Sequence, residues 1–285
     1  MSHVNGSERK RRISLRTKAR FYFELFVTNL SNGMKEYFSV RTRAAMRILG
    51  MLMDIGVWVI FAQLVGSQIQ PRLIDYGTDD MVAFVLSGLI IRQLVELAQP
   101  INPFFLRGDY KTYHNTPLNL AVVAIIRNID ERYVWRLIEL GSLLAIARLV
   151  FDVHIGFLSA AFWIVILLGS LFRAGLTLFT SGWVIVTKGE QDPISWFYTS
   201  TGRLLTGELF PITVLPIPLQ WIAKIHPTTY VQLLARRTAL SGENLDSIFR
   251  DALVLTLLSS TFFMLGYATL SLAIRRAKRE GTMKW

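Results

Sequence analysis

With 52% hydrophobic residues and only 18% charged ones over 285 positions, the chain is too sparsely charged for an ordinary soluble domain, where about a quarter of residues carry charge. Its 31 Lys and Arg outnumber 20 Asp and Glu, for a net charge of +11, and it has no cysteine. That excludes disulfides, thiol catalysis and cysteine metal sites. The cations sit at the ends of apolar runs, as on the cytoplasmic flanks of membrane helices, which argues against a nucleic-acid partner.

Residues 1–12 (MSHVNGSERKRR) are polar and basic. They lack the short apolar core and small-residue cleavage site of a secretory signal, so the segment is expected to stay on the protein. Over 13–40, Phe23, Phe26, Leu30, Met34 and Phe38 recur at three- and four-residue steps, with Lys18, Arg20 and Lys35 as cationic edges. The spacing predicts an amphipathic helix with one apolar face. Such a helix lies in a membrane interface or packs on other protein.

About 20 mostly apolar helical residues cross a hydrocarbon core about 30 Å thick. Four segments meet that need: 45–66, 81–99, 133–152 and 157–187. A weaker fifth span, 193–213, runs into Pro216, Pro218 and Pro227. Proline breaks regular helix, and irregular backbone at membrane depth is tolerated only inside protein or beside a watery cavity. Residues 204–240 are therefore expected to form a broken, partly re-entrant region ending in an interfacial helix, TTYVQLLARRTAL. A sixth span covers 249–274, before a basic tail.

The expected fold is thus an all-α membrane protein with six transmembrane helices, an N-terminal amphipathic helix and a re-entrant element before the last helix. Residues 1–43 form the basic tail and connecting helix, 44–275 the transmembrane domain and 276–285 a basic tail. Six crossings put the N-terminal cations, Arg107, Lys111 and Arg127, and the C-terminal cations on one side. The excess of Lys and Arg makes that side cytoplasmic. Arg236 and Arg237 fall on the other side as exceptions.

Asp54, Arg92, Glu96, Arg136, Glu139, Arg148, Arg173, Arg203 and Glu208 lie within or near apolar spans. A charge at mid-membrane costs at least about 2.5–3.5 kcal/mol, so such side chains face the bundle interior and find partners. Arg92 and Glu96, four apart, can pair on one helix face, as can Arg136 and Glu139, three apart. Arg92, Glu96 and Arg173 are the candidates for an intramembrane polar lining. Equally, they form ion pairs that serve packing alone.

No P-loop, HExxH or GxSxG pattern occurs, so no ATP-phosphate loop, zinc-protease helix or nucleophile elbow is encoded. His3, His114, His154 and His226 are scattered and read as local polar contacts.

Two segments carry a resemblance. The loop after the second span reads FLRGDYKTYHNTPLNL, with Gly108, Asp109, Tyr110, Lys111 and Pro117 in a Gly, short polar helix, Pro order. Residues 207–243 carry Gly207, Phe210, Pro211, Leu215, Pro216, Pro227, Arg236 and Gly242. With six spans and the amphipathic helix, these resemble the membrane subunits of ABC type 2 exporters. The first segment has Gly-Asp where many members have Gly-Thr-Leu-Glu.

The resemblance implies that 105–116, with Arg107, Gly108, Asp109, Tyr110, Lys111 and His114, followed by Pro117, docks on a nucleotide-binding subunit as a coupling helix. It implies an outer gate at Gly207, Glu208, Phe210, Pro211 and Pro216. The implied partners are an ABC ATPase subunit, which would hold ATP and Mg, a second permease subunit, identical or related, and membrane lipid. No catalytic, cofactor or metal residue is expected in this chain, whose place would be the plasma membrane. The residues alone leave open a gradient-driven carrier, a membrane-embedded lipid-modifying enzyme and a non-transporting assembly protein. The cargo is not encoded in any recognisable pattern.

Overall fold

A computed structural model describes residues 15–39, 41–69, 73–97, 131–187 and 193–279. Among these residues the protein is all-helical. The proposed coupling residues Arg107, Gly108, Asp109, Tyr110, Lys111, His114 and Pro117 lie outside the described residues, as do His3 and the C-terminal residues 280–285.

Helix α1 spans Leu15–Ser39. Its Leu30 packs on the buried Val134 of a later helix, while Phe23, Phe26 and Met34 stay exposed. The predicted apolar stripe is therefore mostly uncovered by the chain itself. The Arg20–Glu24 pair along it, 2.8 Å apart, is largely solvent-exposed and adds little stability.

Helix α2, Arg41–Ile69, buries Met51, Ile55, Val59 and Ala62 at helical spacing and exposes Leu52, Met53, Val57, Ile60 and Leu64. A short 3-10 turn, Ile74–Tyr76, follows. Asp80 caps the next helix by accepting from the backbone N–H groups of Val82 (2.9 Å) and Ala83 (3.2 Å), which satisfies two of its orphan donors. That helix, α3 (Met81–Leu97), is the central one: Met81 through Ile91 are all buried. A helix apolar on every side belongs in a core.

Helix α4, Glu131–Leu149, packs on both α1 and α3. Helix α5 covers Ala160–Thr187. Helix α6, Pro193–Leu205, ends eight residues before the expected limit of the fifth span. Gly207 is the reason: its φ of 76° is a left-handed turn that glycine adopts without strain and that closes helices. A 3-10 turn at Ile212–Val214, helix α7 at Ile217–Ile225 and helix α8 at Pro227–Leu240 follow, each starting just after or at a proline. Helix α9, Leu245–Arg279, extends the expected sixth span at both ends.

Among the described residues, three helices are long and apolar enough to cross a membrane: Ala45–Gly66 within α2, Ala160–Thr187 and Leu245–Ala273 within α9. The first and last bury only 22% of their apolar window inside the chain, so most of their apolar surface needs cover from lipid or another protein.

Contacts fix the helix directions. Gly175 of α5 sits on Phe263 of α9, and Gly182 sits on Leu270, seven residues further along both helices. The two therefore run parallel. On α3, Val95 accepts from Ser170 Oγ at 3.3 Å, and Ile91 packs in one cluster with Phe162 and Ile166. Helices α3 and α5 thus share that direction. Helix α8 opposes them: Gln232 meets Gly88, Arg236 meets Phe84 and Ala239 meets Gly156.

Candidate functional site

The charges that stand out in the apolar spans converge in one place. Arg92 and Glu96 lie one turn apart on α3, Arg136 on α4, Arg173 on α5 and Arg203 on α6. Glu208 follows the Gly207 turn. Arg92 Nη1 lies 3.1 Å from Glu208 Oε1, close enough for Coulomb attraction, though that oxygen makes no aligned hydrogen bond. Glu96 meets Arg136 at 3.4 Å and Arg173 at 3.8 Å. Arg203 reaches Asp54 of α2 at 3.6 Å and Glu208 at 4.0 Å.

The within-helix pairs expected from spacing are therefore replaced by pairs between helices. Arg92 takes Glu208 rather than Glu96, and Arg136 takes Glu96 rather than Glu139. A long side chain on a buried helix face points at its neighbour. The carboxylate across the interface is better placed than one a turn away on the same helix. Arg148, by contrast, pairs with Asp152 at 3.0 Å and also contacts His154, all largely exposed. It serves a helix end.

These groups enclose a cavity of about 60 Å³ open to the centres of water-sized molecules. Arg92, Glu96 and Arg173, the three candidate lining residues, all border it, with Arg203 and Glu208. Phe172, Tyr198, Val95 and Val231 supply the apolar part of its wall, and Gln232 closes it from α8. Tyr198 stacks on His226 with ring centroids 5.1 Å apart and donates to or accepts from Thr228 Oγ1 at 2.6 Å. Arg173 lies over the Tyr198 ring at 4.7 Å. His226 also caps α8 by accepting from the Thr228 N–H at 3.2 Å.

Beside the cavity, Arg236 is wholly buried. Its guanidinium donates to the carbonyl oxygens of Gly207 (2.8 Å), Glu208 (2.7 Å) and Phe84 (3.1 Å) and to Ser87 Oγ (3.2 Å). It also stacks over the Phe84 ring at 3.8 Å. Among the described residues no carboxylate lies within ion-pair distance of it. The side chain ties α8 to α3 and holds the backbone that carries Glu208. Gly88 makes room: a Cβ there would collide with the guanidinium and with the Glu208 carbonyl.

The neighbouring Arg237 behaves differently. It donates to Glu243 at 2.7 and 2.8 Å and lies 3.6 Å from Asp251. Hydrogen bonds from Arg237 hold the Glu243 carboxyl below its ordinary range, and the same pair raises the Arg237 guanidinium. Of these adjacent cations, then, one is sunk among carbonyls and the other is neutralised. Burial pushes the Tyr76 phenol up, opposed by its hydrogen bond with Ile212 and by Arg236. Its oxygen accepts from the Ile212 N–H at 3.2 Å.

No protein-family model and no curated protein matches this chain.

Of the residues expected at a gate, Glu208 lines the cavity, and Gly207 and Glu208 both give their carbonyls to the Arg236 clasp. Phe210, Pro211 and Pro216 stand outside the lining: Phe210 packs against the α2–α3 core, and Pro211 and Pro216 precede the 3-10 turn and α7. Arg236 and Gln232 were missed as site residues, because TTYVQLLARRTAL reads as an interfacial helix. A faint signal existed in Gln232 and Arg236, a polar pair four apart. Among the described residues no three His, Asp or Glu side chains cluster to hold a metal ion.

Proposed function

We propose that this chain is the membrane-spanning subunit of an ATP-driven exporter of the ABC type 2 class. It would work as a pair with a second permease subunit, above separate ATPase subunits that bind ATP and Mg. The observation that carries the reading is the helix order. Helices α3, α5 and α9 run one way, while Arg136 near the start of α4 meets Glu96 near the end of α3, as in antiparallel neighbours. If α2 to α5 each cross, and α9 runs parallel to α5, the chain must cross back between them. That makes six crossings, with α6 as the returning segment and both termini on one side.

The path from α6 to α9 also supports a re-entrant element. Ile212 bonds Tyr76, level with the start of α3. His226 then lies against Phe172, about 18 Å along α5 at 1.5 Å per residue. Ala239 returns to Gly156, before α5 begins. Helices α7 and α8 thus descend and climb again between two points at one level. Gly207, Phe210, Pro211 and Pro216 introduce this hairpin.

In this reading the ATPase partner pushes on 105–116, and α1, lying in the cytoplasmic interface, takes part of the load. ATP binding shifts access only as far as it favours one state over the other. The test is to copurify the chain from its host and assay ATP hydrolysis. The chain alone should show none, and an ATPase subunit should accompany it. Tyr110→Ala with Lys111→Ala should lose that subunit and transport together. ATP turnover by the isolated polypeptide, or unchanged copurification and transport, would sink the proposal.

A second reading, a gradient-driven carrier, draws on Glu96 and Glu208 at the cavity, since buried carboxylates in a membrane carry protons in such proteins. It requires transport to stop when the proton or sodium gradient is collapsed while ATP is kept up.

A further inference from the structure

We infer that the cavity between α3, α5, α6 and α8 is a binding site for a phosphate group. This does not depend on the transport reading. It rests on three guanidinium groups and two orphaned polar atoms, Arg92 Nε and Gln232 Oε1, gathered at one cavity.

Three guanidinium groups border the cavity, those of Arg92, Arg173 and Arg203, against two carboxylates, Glu96 and Glu208. A third carboxylate, Asp54, reaches Arg203 from behind the lining. Each guanidinium offers five N–H donors in a fixed fork, and N–H···O hydrogen bonds need about 2.7–3.2 Å. Arg173 reaches its carboxylate only at 3.8 Å, and Arg203 reaches its two only at 3.6 and 4.0 Å. Arg92 Nε is buried with no acceptor at all, and Arg92 meets Glu208 out of alignment.

A second, independent observation lies on the opposite wall. Gln232 is 1% exposed, its amide nitrogen donates to the Gly88 carbonyl at 3.2 Å, and its Oε1 is buried without a partner. The Gly88 bond fixes which end of the amide faces inward. That oxygen needs a donor, which a phosphate P–OH or an adjoining hydroxyl supplies. Phosphate oxygens on the Arg forks and a hydroxyl on Gln232 would satisfy both sides at once. Size agrees: by the same measure a water needs about 10–15 Å³, so 60 Å³ holds roughly four to six waters or one phosphate group. Guanidinium forks match phosphate two bonds at a time.

The phosphate can arrive free or as a lipid headgroup, and the test separates these sources. The full chain, purified in a neutral detergent without phosphate, is titrated calorimetrically with inorganic phosphate, with dioctanoyl phosphatidic acid, and with dioctanoyl glycerol as the phosphate-free control. Binding of either phosphate compound but not of dioctanoyl glycerol is expected. Phosphatidic acid alone assigns a lipid source, and inorganic phosphate a free one. Arg173→Gln, Arg203→Gln and Gln232→Leu should each weaken binding at least tenfold, whereas Arg20→Gln on the exposed face of α1 should leave it unchanged. Where a glutamine variant fails to fold, Arg203→Lys, which keeps the charge and loses the fork, should still weaken binding several-fold. Absence of binding by both phosphate compounds, equal binding of dioctanoyl glycerol, or binding that these cavity substitutions leave untouched would overturn the assignment.

Discussion

At the scale of single residues, Arg236 does the most structural work for its size. Its fork is spent on neutral carbonyls, at Phe84, Gly207 and Glu208. A buried acceptor left without a partner costs about 1–3 kcal/mol. Arg236→Leu orphans two of them, since the Phe84 carbonyl keeps the Ser87 hydroxyl, so it should lower stability by at least about 2 kcal/mol, read as thermal unfolding of the detergent-solubilised chain. Gly88→Ala attacks the same clasp from α3, since its new methyl would meet both the guanidinium and the Glu208 carbonyl. A cost of at least about 1–3 kcal/mol is expected from overpacking. If both variants melt like the parent, the clasp is not what holds Glu208 in place.

Glu243 offers a pH test at the same scale. Its folded carboxyl is held below the ordinary range by Arg237. The pair's contribution is then fully present above the ordinary carboxylate range and is lost as pH falls through the lowered folded value. Both partners are partly exposed, which limits the effect to about 1 kcal/mol or less. Wild type should exceed Glu243→Gln in melting temperature at pH 7, and the gap should close on acidification. A gap independent of pH would mean that the pair contributes nothing electrostatic.

Legibility at this scale was uneven for a physical reason. Arg92, Glu96 and Arg173 stood out because a charge in an apolar run is anomalous on its face. Which charges pair was not legible, because pairing across helices depends on tertiary packing that spacing along one helix cannot report. Arg236 reads as an outer-side exception in an interfacial helix, and its burial is not legible, since it depends on carbonyls from α3 and from the Gly207 turn. Those groups are distant in sequence.

Among elements, the seam between α5 and α9 is the most constrained. Gly175, Gly182 and Gly266 let the two backbones approach closely: a Cβ on Gly175 would lie 2.6 Å from the Phe263 backbone. Small residues that admit close approach are how helices associate where no water drives them together. Gly175→Val should therefore cost at least about 1–3 kcal/mol. Gly50 and Gly56 of α2 have open space around their missing side chains. Alanine there should be neutral or stabilising by up to about 1 kcal/mol, through helix propensity alone. Parallel thermal unfolding of the four variants, with Gly266→Val, checks the contrast. Equal effects in α2 and at the seam would refute close packing of α5 on α9. Helix existence was legible from apolar periodicity, but ends were not. Gly207 stops α6 early, and α9 runs on through Arg275 because a helix leaving an apolar run continues while nothing breaks it.

For the whole molecule, the decisive quantity is the number of crossings. Hydropathy makes three helices clear candidates, while the shorter or more charged α3, α4 and α6 enter the proposed count only through their directions. The chain has no cysteine, so single cysteines report topology cleanly. Ser7→Cys and Thr282→Cys mark the two ends, and Asn244→Cys marks the exposed turn between α8 and α9. A membrane-impermeant maleimide on intact cells should label Asn244→Cys at once and the two terminal variants only after permeabilisation. Parallel α5 and α9 allow no other outcome if both cross and the basic ends face inward. Were the two ends to label differently, the count would be odd, and the returning role of α6 would fall. Were all three sites to label alike, α9 would not cross at all, and its uncovered apolar face would have to be buried against another protein instead of lipid.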